Sequence, residues 1–206
     1  MTHRVSGLYA VTPDGLEDGS LLEKVAAALK GGARLVQYRN KSAGAEVRTR
    51  QARALLGLCR THGVPLIIND HIELAAAIRA DGVHIGRDDG DIAEARAMLG
   101  AQALIGASCY NEFARANVAH RAGATYIAFG SFFPSDVKPG AVRSSFQLLR
   151  KAKQEFGIPV VAIGGINRTN AAQIVAAGAD SIAVISALFS APDVRAAAAD
   201  LSGLFT

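Results

Sequence analysis

The chain predicts a (β/α)8 barrel, and three observations carry that expectation. Short β-branched runs alternate with longer helical patterns along all 206 residues. Turns bearing glycine, often with aspartate beside it, recur where helices hand over to strands. Half of the residues are apolar, 19% are charged and tryptophan is absent. The core must therefore be built from Ala, Val, Ile and Leu, as suits a parallel sheet buried beneath helices.

The strands are expected at Leu8–Val11, Arg34–Tyr38, Leu66–Asn69, Gly82–Ile85, Leu104–Ala107, Tyr126–Gly130, Val160–Ile163 and Ser181–Ile185. Runs such as Leu66-Ile67-Ile68 and Val160-Val161-Ala162-Ile163 are short, apolar and bounded by polar or glycine-containing segments, the pattern of a buried strand. Helical patterns lie near 20–30, 45–62, 71–79, 91–99, 111–122, 144–156, 169–177 and 193–204. Eight such units average about 26 residues, a tight but adequate spacing for a barrel. Strict β-α alternation argues for one parallel sheet.

Gly32-Ala33, Ala80-Asp81-Gly82, Gly123-Ala124 and Gly178-Ala179-Asp180 each sit between a helix end and a strand start. Glycine there supplies the left-handed conformation that stops a helix. A doubly wound open sheet is the competing architecture, but no GxGxxG follows any strand. No linker, low-complexity tract or composition break interrupts the chain, so residues 1–206 are read as a single (β/α)8 domain.

This balance excludes a disordered or fibrous chain. The net charge of +4 suits anionic substrates, but no basic run exceeds two residues, which argues against nucleic-acid binding. Cys59 and Cys109 stand far apart with no CxxC, as expected of reduced, buried thiols. Nothing resembles a signal peptide or an apolar stretch of bilayer length, so a cytoplasmic protein with no membrane partner is expected.

In such a barrel, functional residues gather at the C-terminal ends of the strands. After the second strand stands Gln37-Tyr38-Arg39-Asn40-Lys41. Alternation places Gln37, Arg39 and Lys41 on one side, an amide, a guanidinium fork and an ammonium that suit a di- or triphosphate; a solvated strand end is the plainer alternative. Asn69-Asp70 follows the third strand and Gly86-Arg87-Asp88-Asp89 the fourth. Singly, Asp70 or Asp89 could start a helix. Paired beside a basic cluster, they make a seat for Mg²⁺ completed by phosphate oxygens and water.

Ser108 follows the fifth strand. A long segment, Ser131 through Gly140 with a central Lys138, follows the sixth and could cover a ligand or simply connect. Gly164-Gly165-Ile166 and Ser186 end the seventh and eighth, where barrels hold a phosphate on backbone N–H groups. His84 lies within the fourth strand and is expected to be a hydrogen-bonded structural histidine.

Taken in order, these residues resemble the thiamine phosphate synthase family. The resemblance spans about Gly7 to Phe189 and rests on Gln37-Tyr38-Arg39-Asn40-Lys41, Asn69-Asp70, His84-Ile85-Gly86 through Asp89, Ile105-Gly106-Ala107-Ser108, Phe133-Pro134 through Lys138-Pro139, Val161 through Ile166, and Val184-Ile185-Ser186. It implies a transferase that joins hydroxymethylpyrimidine pyrophosphate to thiazole phosphate and releases pyrophosphate. Gln37, Arg39, Lys41, Asn69 and Lys138, with Tyr38 and Asn40 in the same segment, would hold the pyrimidine substrate, and Ser108 would contact it. Asp70 and Asp89 would bind Mg²⁺. Ser135, Asp136, Val137, Gly165, Ile185 and Ser186 would line the thiazole phosphate pocket or its lid.

Arg39, Lys41, Ser108 and Lys138 are the expected catalytic residues. Charge developing on the leaving pyrophosphate calls for cations, whereas the thiazole nitrogen attacks through a lone pair and needs no strong base.

Three residues depart from the family pattern. Val137 stands where threonine is common, Arg87 where glutamine is usual, and His71 where arginine is frequent. An isomerase paralogue acting on the thiazole phosphate, a non-catalytic binder of thiamine phosphate and a barrel of tryptophan synthesis are the rival readings. The retained Arg39, Lys41, Asp70, Asp89 and Lys138 count against all three. A homo-oligomer is left open.

Overall fold

The computed structural model describes residues 5–134, 140 and 142–205. Strands β1 (Gly7–Val11), β2 (Leu35–Tyr38), β3 (Leu66–Asn69), β4 (Gly82–Ile85), β5 (Leu104–Tyr110), β6 (Tyr126–Phe129), β7 (Val160–Ile163) and β8 (Ser181–Val184) close into a barrel. Each is parallel to both neighbours, and β8 returns to β1. Between and after them run α1 (Asp18–Lys30), α2 (Ala45–Thr61), α3 (Ile72–Ile78), α4 (Ile92–Leu99), α5 (Phe113–Arg121), α6 (Phe146–Glu155), α7 (Ala171–Ala176), α8 (Ser186–Phe189) and α9 (Val194–Ser202), then a 3₁₀ turn, Gly203–Phe205.

The expected (β/α)8 barrel is therefore present, with two local differences. β5 runs three residues further than expected, to Tyr110, with a register shift between Ser108 and Tyr110. Ser108 is thus part of the strand rather than of the loop after it. The four-residue α8 was not expected, because Ser186-Ala187-Leu188-Phe189 is too short to show a helical period. No helix among the described residues is long and apolar enough to cross a membrane.

Period-two alternation divides the core into two layers. Tyr9, Val11, Leu35, Ile67, Leu104, Tyr126, Ala128, Val161 and Ala183 fill the barrel interior. Their neighbours in sequence, including Leu8, Ala10, Val36, Tyr38, Leu66, Ile68 and Ile127, pack outward against the helices. The same alternation sets Gln37 inward and Tyr38 outward, and register pairs Gln37 with Val11 and Ile67 near the top of the interior.

Three strand starts are pinned at the opposite end by side chains that precede the next strand. Asp81 accepts from Leu66 N at 2.8 Å, Thr125 Oγ1 from Ile105 N at 2.9 Å, and Asp180 from Val160 N at 2.8 Å. These bonds satisfy buried donors and mark that face as structural. Gly32, Gly123 and Gly178 carry positive φ as expected, whereas after α3 the left-handed residue is Arg79 (φ 54°) and Gly82 opens β4.

Candidate active site

A cavity of about 660 Å³ opens at the C-terminal end of the barrel. Gln37, Arg39 and Lys41 line it from the end of β2, Asn69 and Asp70 from β3, His84, Arg87 and Asp89 from β4 and its loop, and Ser108 from β5. A smaller cavity of about 180 Å³, lined by Gly164, Gly165, Asn167 and Ser186 among others, adjoins it. The two share Ile163, Gly164, Ala183 and Ile185 in their walls. Ser135, Asp136, Val137 and Lys138 lie outside the described residues.

Tyr38 and Asn40 do not reach the cavity, which corrects the expectation that the whole 37–41 segment faces a ligand. Alternation turns them outward, where the Tyr38 hydroxyl donates to Gln51 Oε1 at 2.8 Å and Asn40 Nδ2 to the same oxygen at 3.2 Å. They anchor the segment to α2. From the β1–α1 connection, Thr12 Oγ1 donates to Arg39 O and accepts from Arg39 N, both at 2.9 Å. Asp14 takes the Arg39 guanidinium at 2.7 Å and the Lys41 backbone N–H at 2.7 Å. These bonds fix the backbone of the basic arm and the Arg39 guanidinium.

The two carboxylates are not helix caps. The α4 cap is Asp91, which accepts from Ala93 N and Glu94 N, and α3 begins after His71 without a side-chain cap. Asp70 takes φ 64° and accepts from Lys41 Nζ at 2.8 Å and Asn69 Nδ2 at 2.6 Å. Burial, and then the charge of Asp70, push the Asp89 carboxyl above its ordinary value, with Lys41 opposing. Lys41 is held more firmly protonated by its bond to Asp70. A pair of hard oxygen donors with an ammonium already drawn to it suits a divalent cation. Among the described residues, no third His, Cys, Asp or Glu joins them, so phosphate oxygens and water would complete such a shell.

The smaller cavity is shaped by backbone. Gly165 has φ 65°, and a Cβ there would run into the carbonyl oxygens of Pro134 and Phe133. Asn170 Nδ2 holds Gly165 O at 3.0 Å, and Phe133 N donates to Gly164 O at 3.0 Å. Beyond β8, the first turn of α8 starts at Ser186, and Lys24 Nζ binds Phe189 O at 2.7 Å to hold its far end.

A family model described as thiamine monophosphate synthase matches residues 8–188. The chain belongs to that family. It is 57% identical over 205 residues to the thiamine-phosphate synthase of Chromobacterium violaceum, covering 100% of this chain and 99% of that one. The synthase of Thiobacillus denitrificans is 54% identical, covering 97% and 94%. A solved thiamine phosphate pyrophosphorylase from Pyrococcus furiosus superposes with a TM-score of 0.85 at 36% identity, covering 97% of this chain and 95% of that one.

Other residues of this family member also shape the site. Thr12 and Asp14 belong to a loop with no motif. Arg87 lies over the Tyr110 ring at 4.8 Å and pairs with Glu112, so its charge is engaged across the β5 rim rather than at Asp89. His84 does hydrogen-bond internally, as expected, but it also forms part of the cavity wall.

The Gly165 geometry yields a direct prediction. Gly165→Ala places a side chain at positive φ against two carbonyl oxygens, at a cost of about 2–3 kcal/mol. In a chain of this size the thermal midpoint should fall by about 4–12 °C. Differential scanning calorimetry checks this, and an unchanged midpoint would mean that the loop after β6 yields freely.

Proposed function

We propose that this chain joins hydroxymethylpyrimidine pyrophosphate to thiazole phosphate, forming thiamine phosphate and releasing pyrophosphate, with Mg²⁺ held by Asp70 and Asp89. The supporting observation is the convergence of Gln37, Arg39, Lys41 and the two carboxylates on one large cavity that opens into a glycine-walled pocket. Basic groups and paired carboxylates suit a pyrophosphate with its cation. The Gly164-Gly165 backbone and the start of α8 suit a single phosphate.

When bound, Mg²⁺ would neutralise charge on the departing pyrophosphate. The Arg39 fork, preset by Asp14, binds non-bridging phosphate oxygens. Lys41, which pairs with Asp70 at 2.8 Å, would be free to bind the same anion if Asp70 held a cation. Gln37 and Ser108 orient the pyrimidine end. The thiazole nitrogen carries its own lone pair, so positioning and charge stabilisation carry the rate without a general base.

Incubating the protein with both substrates, with and without Mg²⁺, tests this directly. Thiamine phosphate and pyrophosphate should appear in equal amounts and only with the metal. Isomerised thiazole phosphate without coupling would assign the chain to a tautomerase, and binding without turnover to a sensor. By calorimetry, Lys41→Ala should weaken the pyrimidine pyrophosphate by about tenfold or more while thiazole phosphate binds as before. Equal loss of both ligands would refute the division into two anion sites.

A further inference from the structure

Beneath the cavity, five side chains from five strands form one hydrogen-bonded chain across the barrel. Gln37 Nε2 donates to the Tyr9 hydroxyl at 2.9 Å, and the Tyr9 and Tyr126 hydroxyls meet at 2.8 Å. Tyr126 reaches His84 Nδ1 at 3.1 Å, and His84 Nε2 reaches Ser108 Oγ at 2.9 Å. Gln37, Tyr9, Tyr126 and His84 are all buried. The His84 and Tyr126 rings stack at 5.6 Å, and Tyr9 meets Tyr126 edge-on at 6.0 Å. β5 makes room for this with Gly106, where a Cβ would collide with both the Tyr126 ring and His84 Nδ1.

The bonds have a direction. An amide nitrogen only donates, so Tyr9 accepts from Gln37; either hydroxyl can donate in the Tyr9–Tyr126 bond, and the order that gives every proton of the chain an acceptor has Tyr9 donating to Tyr126. Tyr126, accepting from Tyr9, turns its proton toward His84 Nδ1. Burial holds both phenols protonated, far above their ordinary range. With Nδ1 accepting, the proton of a neutral imidazole resides on Nε2 and points at Ser108 Oγ. An Nδ1–H imidazole would set two protons against each other within the tyrosine pair, leaving one buried hydroxyl proton without an acceptor among the described residues.

We propose that His84 is a positioning residue, fixed as its Nε2–H tautomer by the Gln37–Tyr9–Tyr126 chain, so that Ser108 presents its hydroxyl proton to the ligand. Ser108 is thereby a hydrogen-bond donor and not a nucleophile awaiting a base. At the other end Gln37 also lines the cavity, and with its nitrogen on Tyr9 its carbonyl oxygen is the amide atom left to accept from a ligand. With the Gln37 carbonyl oxygen accepting and the Ser108 hydroxyl donating, the floor suits a ligand carrying a donor at one edge and an acceptor at the other. An amino-substituted nitrogen heterocycle bearing an anionic tail has that pattern. The choice of ligand rests on the function proposed above; the direction of the chain does not.

Nitrogen-15 NMR of the ligand-free, histidine-labelled full chain reads the tautomer without any substrate. The signal lost in His84→Gln identifies His84 among the five histidines. It should show a pyridine-type Nδ1 and a protonated Nε2, and Tyr126→Phe should degrade that preference. In steady-state kinetics with the substrates named above, His84→Leu should lower kcat roughly 10- to 100-fold, and His84→Gln, which keeps a donor near Ser108, should recover most of it. In a Ser108→Ala background His84→Leu should have little further effect. An Nδ1–H tautomer in the wild type, or an equal His84→Leu loss with and without Ser108, would overturn the proposal. Absence of coupling with the expected tautomer in place would refute only the choice of substrates.

Discussion

Asp89→Asn is expected to lower kcat/KM by about a thousandfold, some 4 kcal/mol of transition-state stabilisation, which is within what a bound metal supplies as a Lewis acid. The same change should raise the thermal midpoint of the metal-free protein. Burial and the neighbouring Asp70 raise the Asp89 carboxyl, so the folded state holds that proton more tightly than the unfolded chain does. Stability from this group is present below the unfolded carboxylate value and is lost as pH rises through the higher folded value. At neutral pH the ionised Asp89 therefore works against folding, and an amide relieves it. Adding Mg²⁺ should raise the wild-type midpoint by mass action and leave the variant nearly unmoved. Asp70 should be replaced by Asn rather than Ala, because its φ of 64° suits Asn far better. Near-normal turnover in Asp89→Asn at sub-saturating Mg²⁺ would remove the metal from this pair. A metal-free midpoint below wild type would make Asp89 a structural residue.

The barrel was legible because its two periods are written in consecutive residues. Leu66-Ile67-Ile68 and Val160-Val161-Ala162-Ile163 can hardly be other than short buried strands, and the period of two that places Gln37 inward also places Arg39 and Lys41 in the cavity wall. That same period carries Tyr38 and Asn40 to Gln51 on α2; treating the segment as one motif hid the consequence. Asp91 is the α4 cap that Asp89 could have been, and α3, which Asp70 could have capped, has no side-chain cap; three aspartates within a few residues of helix starts look alike until a chain path separates them. Tyr9 and Tyr126 are 117 residues apart, and nothing in a single sequence joins them. Asp14 and Thr12 were invisible for the same reason: their partners lie 25 or 27 residues away, just past the end of β2. Local order is encoded by neighbours, whereas the support beneath a site comes from closure of the barrel.

Arg39→Lys should lower kcat by about a hundred- to a thousandfold, although charge and much of the length are kept. The guanidinium meets Asp14 Oδ2 at 2.7 Å, with a side chain 15% exposed, and its backbone is clamped by Thr12 on both sides. A planar fork so placed can keep one donor on Asp14 while offering others to phosphate oxygens. An ammonium has no fixed fork, so the bond to Asp14 and the grip on the anion compete for one point charge. Removing one preorganised donor to a developing charge typically costs two to three orders of magnitude. Asp14→Ala leaves the guanidinium in place but frees it to sample other positions, and it also releases the Lys41 backbone N–H. Its effect should be smaller, about 10- to 30-fold, roughly what a hydrogen bond to a charged group is worth. Since Asp14 acts largely through Arg39, the two changes should not add, and Asp14→Ala in an Arg39→Lys background should cost only a fewfold more. Full additivity in that cycle would mean that Asp14 serves the Lys41 backbone alone, and the preset shape of the basic arm would have to be credited to Thr12.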